Sequence, residues 1–292
     1  NITLAARMLL KTPFVTAIAV LSLALGIGAN AAIYSMFDQL LKRKLPVPDV
    51  SGLVNLSAPG PMPGSNTCNQ SGSCNVVFSY PMFRDLEKAQ TPFTGIVAHR
   101  QTGVSLSVRN EPMTGNGTMV SGSYFPVLGI QPVVGRLLTP EDDRVIGANF
   151  VTVISYAFWE NKFGKDPAIA GQSIVINGKS YSIVGVVPQG FEGTTVGNLP
   201  VVYVPISMRG ELQRFTRWDD RRNYWVYLFA RLKPGMSVAA AKVTINATYH
   251  PIITDVEAPL QQGMSDKTME SFKKKQVLLE PGARGQSNIH RE

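Results

Sequence analysis

The longest hydrophobic segment of the chain lies near its N-terminus. No charged residue occurs over the 25 positions from Pro13 to Phe37. At about 1.5 Å per residue, a helix of this length exceeds the hydrocarbon core of a bilayer, which is about 30 Å thick. Thr12 followed by Pro13 is a typical helix start, with a hydroxyl N-cap before a proline at the first helical position. The pattern predicts a transmembrane helix over residues 13–41.

The residues before this segment predict an amphipathic helix. Thr3, Arg7 and Lys11 recur every four positions, which places them on one stripe, and apolar residues cover the remaining surface. We expect residues 1–12 to lie on a membrane surface. The alternative is the charged leader of a signal peptide, cut at the small-residue pattern Ala29-Asn30-Ala31. Because apolar residues continue beyond that tripeptide, we predict that the helix is retained.

Beyond residue 44, short segments with helical and alternating periodicity follow one another. Helices are predicted in SYPMFRDLEKAQ, at the start of YFPVLGIQPVVGRLLTPEDD, late in NFVTVISYAFWENKFG, and from Ser237 until Pro251. Strands are predicted in FTGIVAHRQTGVSLSV, YWVYLFARL and QVLLEP, and in SIVINGKSYSIVGVVP, where Asn177-Gly178 favours a type I′ hairpin turn. Since helices and strands do not alternate regularly, the predicted fold class is α+β.

The length and the net charge of the chain exclude few classes of function. The chain has 292 residues and a formal net charge of +8. This length suffices for one large domain or two modest ones. A basic balance is compatible with nucleic acid or anionic lipid as a partner, but it does not define a fold. Because the first residue is Asn1 rather than methionine, we expect a fragment of a longer protein.

The two cysteines predict a local disulfide. Cys68 and Cys74 are six positions apart in a loop rich in glycine, serine and asparagine. This spacing favours a bridge in an oxidising compartment, and two free thiols are the alternative. His99, His250 and His290 show no ligand spacing to one another or to the cysteines, so we predict no metal site.

Two phosphate-binding patterns occur only in part. Residues 26–31, GIGANA, fit the dinucleotide pattern G-x-G-x-x-G/A, but they lie in an uncharged run that is too long for one strand of a βαβ unit. GKS at 178–180 resembles the end of a P-loop, but Ser173 stands where the first glycine belongs. No hydrolase or metalloprotease motif is present, so we predict no enzymatic activity and no cofactor.

Three charged stretches are predicted to lie at the surface. Asp142 and Asp143 are interpreted as a solvated turn rather than a metal site. RFTRWDDRRNYW mixes arginines with aromatic residues, as single-stranded nucleic-acid sites do, but its aspartates dilute the charge. We predict a surface loop there that leads into a buried strand, and no nucleic-acid partner. Lysines 273–275 are predicted to be the exposed end of a helix, or a patch facing lipid headgroups.

Small residues inside the uncharged run predict a helix-packing site. Gly26 and Gly28, with the alanines at 29, 31 and 32, allow another helix to approach closely. The charges that flank the run leave its orientation open, because Arg7 and Lys11 precede it and three basic residues, 42–44, follow it. The cysteine pair favours a domain outside the cytoplasm.

Several segments together resemble one family. ARMLLKTPFVTAIAVLSLALGIGANAAIYSMFDQLL resembles the first membrane helix of ABC-transporter permeases of the macrolide-exporter type, named MacB. Four later segments resemble the periplasmic core domain that follows, in the family's order: FSYPMFRDLEKAQTPFTGIVAH, VSGSYFPVLGIQPVVGRLLTPEDD, VISYAFWENKFGKDPAIAGQSIVINGKSYSIVGVVPQGF and ARLKPGMSVAAAKV. The resemblance covers nearly the whole chain, and it is greatest to the acidobacterial duplicated permeases, often described as orphans without an adjacent ATPase.

The resemblance implies an architecture and a location. The N-terminus would be cytoplasmic, the helix would span the bacterial inner membrane, and the large domain would lie in the periplasm. That domain would consist of two α+β subdomains, a porter-like one over 45–125 and 223–283 and an inserted Sabre-like one over 126–222. Residues 284–292 would be a linker toward further membrane helices.

The resemblance also implies a function. The full protein would be a permease subunit without ATP chemistry that couples membrane-helix motion to a periplasmic domain for export of substrate. Its partners would be membrane lipid, a second copy or the duplicated second half, and a separate ATPase and periplasmic adaptor where these exist. The alternative is a membrane-anchored periplasmic binding module without transport activity. A periplasmic enzyme is a third interpretation, which the lack of a catalytic group disfavours.

Overall fold

The computed structural model describes residue 11 and residues 13–42, 44–89 and 92–287, and the chain divides into two compact units. The first unit, residues 1–43, contains helix α1, Pro13–Lys42. The second unit, residues 44–292, is called the body below. Apart from Lys11, the predicted surface helix over 1–12 lies outside the described residues. Residues 288–292 of the predicted linker also lie outside them.

Helix α1 is the predicted membrane helix. The structure describes this helix from Pro13 onward, and because Thr12 lies outside the described residues, the start predicted from the Thr-Pro pair stays a prediction. Within the described residues, its segment Pro13–Ser35 is the one helix long and apolar enough to cross a membrane. Phe14 and Leu25 are 77% and 78% exposed, so the chain itself does not cover them. A continuous apolar surface of this kind requires lipid or other helices around it.

The described part of the body contains twelve strands and six α-helices. The strands are β1 (Leu53–Ser57), β2 (Ser65–Asn66), β3 (Val77–Ser79), β4 (Phe93–Val108), β5 (Glu111–Val120), β6 (Val134–Gly135), β7 (Val151–Ile154), β8 (Ser173–Ile176), β9 (Lys179–Val186), β10 (Pro200–Pro205), β11 (Asn223–Leu232) and β12 (Leu278–Pro281). The helices are α2 (Tyr80–Lys88), α3 (Tyr124–Leu128), α4 (Tyr156–Phe163), α5 (Arg209–Leu212), α6 (Val238–Pro251) and α7 (Asp266–Lys273). Helices and strands are mixed without regular alternation, which confirms the predicted α+β class.

All twelve described strands belong to one sheet, in which nine follow the order β12-β1-β11-β4-β5-β10-β7-β9-β6, while β2 and β3 pair with β11 and β8 lies beside this path. Strand β8 pairs with both β4 and β9, so β4, β5, β10, β7, β9 and β8 close into a ring of six strands. Within the ring, the β5–β10 and β7–β9 pairs are parallel and the other pairs are antiparallel. A closed ring leaves no free sheet edge among these strands.

Strand β4 belongs to two parts of the sheet, the ring of six strands and the strands around β11. Its N-terminal half pairs with β11, from Phe93 to His99, and its C-terminal half pairs with β8 at Leu106 and Ser107. Burial follows this change, because residues 96–100 are buried without interruption, whereas buried and less buried positions alternate from 102 to 108. Strands from 45–125 and from 126–222 therefore complete the ring together, and the predicted boundaries between two subdomains stay a prediction.

A serine caps the N-terminus of four helices in the body. The side chains of Ser79, Ser155, Ser237 and Ser265 each accept a hydrogen bond from the backbone N–H three residues later, in α2, α4, α6 and α7. Each bond satisfies one of the N–H groups that a helix start leaves unpaired. The predicted start of a helix at Ser237 is thus confirmed.

The predicted core positions and the hairpin are also confirmed. Helix α2 buries Met82, Phe83 and Leu86, and helix α4 buries Phe158, Trp159 and Phe163. Between β8 and β9, Asn177 and Gly178 have φ values of 49° and 80°, as a type I′ turn requires. The Asn177 side chain accepts from Ser105 N–H (2.7 Å) and donates to the Leu212 carbonyl (2.8 Å), so the turn also ties β8 to β4.

The predicted end of helix α6 is wrong. Pro251 is the last residue of α6 rather than the first residue after it, and the chain continues into a π-helix, Ile252–Glu257, and a 3₁₀ helix, Ala258–Leu260. A proline removes one N–H donor, which a wider π turn tolerates. This continuation buries Ile253 and Glu257. The local sequence pattern does not predict their burial.

Candidate functional site at the chain exit

The chain enters and leaves the body at adjacent points. The N–H of Leu45, just after the first unit, donates to the carbonyl of Ala283 (2.9 Å). The Asn55 side chain in β1 donates to the carbonyl of Gly285 (2.9 Å). A cavity of about 570 Å³ lies here, and its lining includes Lys44, Asn55, Arg284 and Ser287. A displacement of either end of the body therefore acts directly on the other end.

Gln286 clamps the exit segment to three other parts of the body. Its side-chain Nε2 donates to the Leu228 carbonyl in β11 (2.8 Å), and its Oε1 accepts from His99 Nε2 in β4. Its backbone N–H donates to the Thr194 carbonyl (2.7 Å), and its carbonyl accepts from Val196 N–H (3.1 Å). We call Gln286, His99, Leu228 and the 194–196 segment the exit clamp.

His99 is held neutral inside the exit clamp. Its ring is fully buried and packs at 5.7 to 6.3 Å from the rings of Tyr124, Tyr227 and Phe229. Burial lowers the pKa of His99 to about 4, and the hydrogen bond to Gln286 opposes this shift only in part. Since the Gln286 oxygen accepts, the proton of the neutral ring is on Nε2. From the sequence, His99 is a candidate only for metal binding, so its role in the exit clamp is missed there.

The cysteine loop lies against the exit clamp. Cys68 and Cys74 are disulfide-bonded in the structure, with their Cα atoms 4.9 Å apart. Inside the loop, the Tyr227 hydroxyl accepts from Asn69 N–H (2.7 Å) and donates to the Gly72 carbonyl (3.0 Å). Ser71 Oγ is 2.8 Å from Thr195 Oγ1, next to Gln286. The bridge predicted from spacing alone thus borders the exit segment.

The acidic turn differs from its prediction. Asp142 and Asp143 are buried, with 8% and 3% exposure, so the expected solvated turn is wrong. Asp142 forms a two-pronged ion pair with Arg136 (2.6 and 2.9 Å). Asp143 accepts from the backbone N–H groups of Gly122 (3.2 Å) and Ser207 (2.8 Å). Both carboxylates are used as hydrogen-bond acceptors between loops, a role that residue type alone does not distinguish from solvation.

The lysine run also differs from its prediction. Lys275 is 5% exposed, and its Nζ donates to the Pro61 carbonyl (3.2 Å). Nearby, Arg221 bridges Glu257 (3.6 Å) and Asp85 (2.6 Å). Burial raises the pKa of Glu257 to about 7 and lowers that of Lys275 to about 8. The run is therefore not uniformly exposed, because Lys275 takes part in a buried charge cluster.

The two glycines predicted to pack helices are open to neighbours. A Cβ added at Gly26 or at Gly28 would meet no atom within 4 Å apart from the adjacent residues and the nearby backbone of the helix itself. They are two positions apart, which corresponds to a rotation of about 200° around a helix axis. They therefore face different sides of α1, and two separate contacts are needed to use both. The GIGANA pattern lies wholly inside this helix, without the strand that a dinucleotide site requires.

The remaining candidates for ligand chemistry are few. Within the described residues, no group of three or more histidine, cysteine, aspartate or glutamate side chains could hold a metal ion. The predicted loop before β11 is confirmed, and it leads into Trp225, which is fully buried. A cleft of about 490 Å³ lies beside α4, with apolar lining from Met113, Phe158, Phe191, Leu199 and Val201. The size and lining of this cleft suit a small apolar molecule.

Comparison by sequence identifies one family. Residues 16–248 match the family described as MacB-like periplasmic core domain. The match begins inside α1 and ends inside α6, so it includes the ring of strands and most of the exit clamp, but not Gln286. No curated protein matches the chain by sequence.

Comparison by structure finds similar folds. The periplasmic region of MacB from Actinobacillus actinomycetemcomitans is 15% identical, with a TM-score of 0.54, over 80% of this chain and 89% of the other. The extracellular domain of YknZ, a noncanonic ABC-type transporter from Gram-positive bacteria, is 16% identical, with a TM-score of 0.47, over 67% and 91%. A domain of a putative permease from Porphyromonas gingivalis is 13% identical, with a TM-score of 0.47, over 83% and 96%. At these identities, the first comparison shows a shared fold.

The neutral, buried His99 predicts a loss of stability in acid. In the unfolded chain, histidine binds a proton below pH about 6.5, whereas folded His99 does so only near pH 4. Between these values the unfolded state binds more protons at this residue, so the contribution of His99 to the free energy of unfolding decreases as the pH falls from 6.5 to 4, whereas that of Glu257, whose pKa is raised, changes in the opposite direction. Replacing His99→Gln should remove up to about 3 kcal/mol of this pH dependence.

Denaturant unfolding of the chain in detergent between pH 4 and 7, followed by tryptophan fluorescence, measures this difference. His250→Gln offers a matched control, because it removes an exposed imidazole instead of a buried one. An equal pH dependence in His99→Gln and the parent would contradict the role of His99.

The cysteine loop gives a second prediction. We propose that Cys68 and Cys74 are bridged in the native protein. The double variant Cys68→Ser, Cys74→Ser should lose about 2 kcal/mol of unfolding free energy, because the closed loop is short. Ser71→Ala keeps the bridge but loses the contact to Thr195, and should lose about 1 kcal/mol. Denaturant unfolding measures both variants. Free thiols found by alkylation of the folded, unreduced chain would argue against the bridge.

Proposed function

The chain belongs to the family of MacB-like periplasmic core domains, and from this premise we propose that it couples membrane-helix motion to its periplasmic domain as part of an export permease. The family is a component of ABC-type transporter permeases. In our proposal, the chain carries out no ATP chemistry, and the body transmits motion so that substrate moves across the cell envelope.

The observation that carries this proposal is the contact between the two ends of the body. Leu45 follows α1, and its hydrogen bond to Ala283 joins the incoming segment to the outgoing one. From there, Gln286 reaches β4 through His99, β11 through Leu228, and the 194–196 segment through its backbone. A pull on the ends of the chain would thus reach both the long strand of the ring and the loop beside the disulfide.

Helix α1 would supply the membrane part of this coupling. Its exposed apolar surface and its length support a span of the bacterial inner membrane. We propose a cytoplasmic N-terminus and a periplasmic body, an orientation that the disulfide loop in the body supports. Within the body, we retain a porter-like part over 45–125 and 223–283 and a Sabre-like part over 126–222 as a proposed division.

The partners follow from the same proposal. A second copy of the chain, or a duplicated second half, would pack against α1, and lipid would cover the rest of the helix. A separate ATPase and a periplasmic adaptor would act with the permease where they exist. Kinship with the acidobacterial duplicated permeases, and with it independence from an adjacent ATPase, is part of this proposal.

The alternative is a membrane-anchored periplasmic binding module without transport activity. The cleft of about 490 Å³ beside α4 gives such a module a place for a small apolar ligand. The coding sequence downstream of residue 292 separates the two functions. Three further apolar spans would favour the permease, and none would favour the module.

The proposed topology predicts which compartment exposes the body. When the chain is expressed in a bacterium with an outer membrane, carbonate should leave it in the membrane fraction, because α1 spans the bilayer. Added protease should degrade the body in spheroplasts and spare it in intact cells. An extracted protein, or a mature N-terminus next to Ala31, would contradict the proposal. A cytoplasmic marker protein that stays intact in the spheroplasts is the control.

The two glycines predict how α1 packs against a second helix. Because they face different sides of α1, Gly26→Leu and Gly28→Leu test two surfaces separately. The double variant should abolish dimers in detergent while the body stays folded, and the single variants should show which side forms the contact. Leu23→Ile, on the same exposed helix, is a control for general changes in apolar surface. A normal dimer yield in the double variant would contradict the proposed packing site.

A further inference from the structure

Two buried arginines come together at the side of the ring. Arg209 lies in α5 and Arg100 in β4, with 8% and 7% exposure. The guanidinium carbon of Arg209 is 3.6 Å from the ring centroid of Phe215 and 3.9 Å from that of Trp225. Arg100 Nη1 donates to the Trp225 carbonyl (2.8 Å) and to the Thr67 carbonyl (3.0 Å). Trp225 is thus the neighbour that both arginines share.

These two cations lack a matching negative charge. Across the described ranges, no carboxylate lies within ion-pair distance of either guanidinium. Ten ion pairs between other residues form in the same ranges. Arg209 Nε and Nη1 and Arg100 Nε are buried without a hydrogen-bond partner. The third nearby arginine, Arg217, is half exposed and is paired with Asp220 (3.5 Å).

The pKa values of both arginines are lowered from the ordinary value of arginine. Burial lowers the pKa of Arg209 to about 9, and the charges of Arg100 and Arg217 lower it further. Burial also lowers the pKa of Arg100. A buried charge without a counter-charge is unfavourable, because it loses its hydration without a compensating ion pair. Contacts with the rings of Phe215 and Trp225 stabilise Arg209, but they do not supply a negative charge.

We propose that Arg209 and Arg100 form a binding site for a small oxyanion, a carboxylate or a phosphate group. Guanidinium groups bind both groups through strong, charge-assisted hydrogen bonds, and the unpaired donors of the two arginines, which are closed to solvent in this structure, would have to open to receive such a group. A cationic ligand is excluded by the charge, and an apolar ligand would leave the same donors unpaired. This site is independent of the transport function proposed above.

Because of the position of this site, a bound oxyanion would stabilise the folded state. Thr67, which Arg100 contacts, directly precedes Cys68, and Gln213 donates to Thr102 (2.6 Å) one turn from Arg209 along the chain. An anion bound by both arginines would therefore join α5, β4 and the start of the disulfide loop. Binding to the folded state alone raises stability with anion concentration.

Titration calorimetry on the complete chain in detergent tests the site. The probes are inorganic phosphate and succinate, each added at constant ionic strength in chloride buffer. We expect one saturable site per chain for at least one probe, and Arg209→Gln should weaken its affinity about tenfold or more. The probe that binds identifies the phosphate or the carboxylate class. If neither probe binds saturably, the proposal is wrong.

Three further measurements keep the test decisive. Arg144→Gln, at an exposed arginine elsewhere on the body, should bind as the parent does. Arg209→Lys keeps a positive charge without the planar guanidinium and should bind more weakly than the parent, even where Arg209→Gln fails to fold. Thermal unfolding in chloride alone reports the folding of each variant. Equal affinity in parent and Arg209→Lys, or equal stabilisation by chloride and by phosphate, would overturn the oxyanion site.

Discussion

Hydrogen bonding along strand β4 joins the ring of strands to the strands around β11. One half of this 16-residue strand pairs with β11, and the other half pairs with β8 and closes the ring. The Asn177 side chain adds two bonds where the ring closes. His99 lies near the centre of this strand, at the end of the stretch that pairs with β11 and before the positions that pair with β8.

The exit clamp applies this constraint to the end of the chain. Gln286 uses its whole side-chain amide on His99 and Leu228 and its backbone on the 194–196 segment, so the exit segment cannot move without breaking buried hydrogen bonds. Each such bond costs about 1–3 kcal/mol when a buried partner is left unpaired. The hydrogen bond between Leu45 and Ala283 fixes the incoming segment to the exit segment.

Buried charge is distributed unequally over the body. Glu257, Arg221 and Asp85 compensate one another in one cluster, and Asp142 pairs with Arg136 in a second. The arginines beside Trp225 have no such compensation within the described residues. The buried Asp143 has no cation as partner either, but backbone N–H groups donate to both of its oxygens, whereas several donors of the two arginines have no partner. This contrast, rather than the basic net charge of +8, is what makes the site specific.

Local sequence determined the elements that depend on neighbouring residues. The length of the uncharged run predicted α1, the serine before an apolar run predicted the start of α6, and Asn177-Gly178 predicted the hairpin, since each acts over a few bonds. Only the tertiary structure decided the closure of the ring, the burial of Asp143 and Lys275, and the meeting of His99 with Gln286, which are 187 positions apart. These features depend on which distant segment removes water from a side chain, and that information is absent from the local pattern.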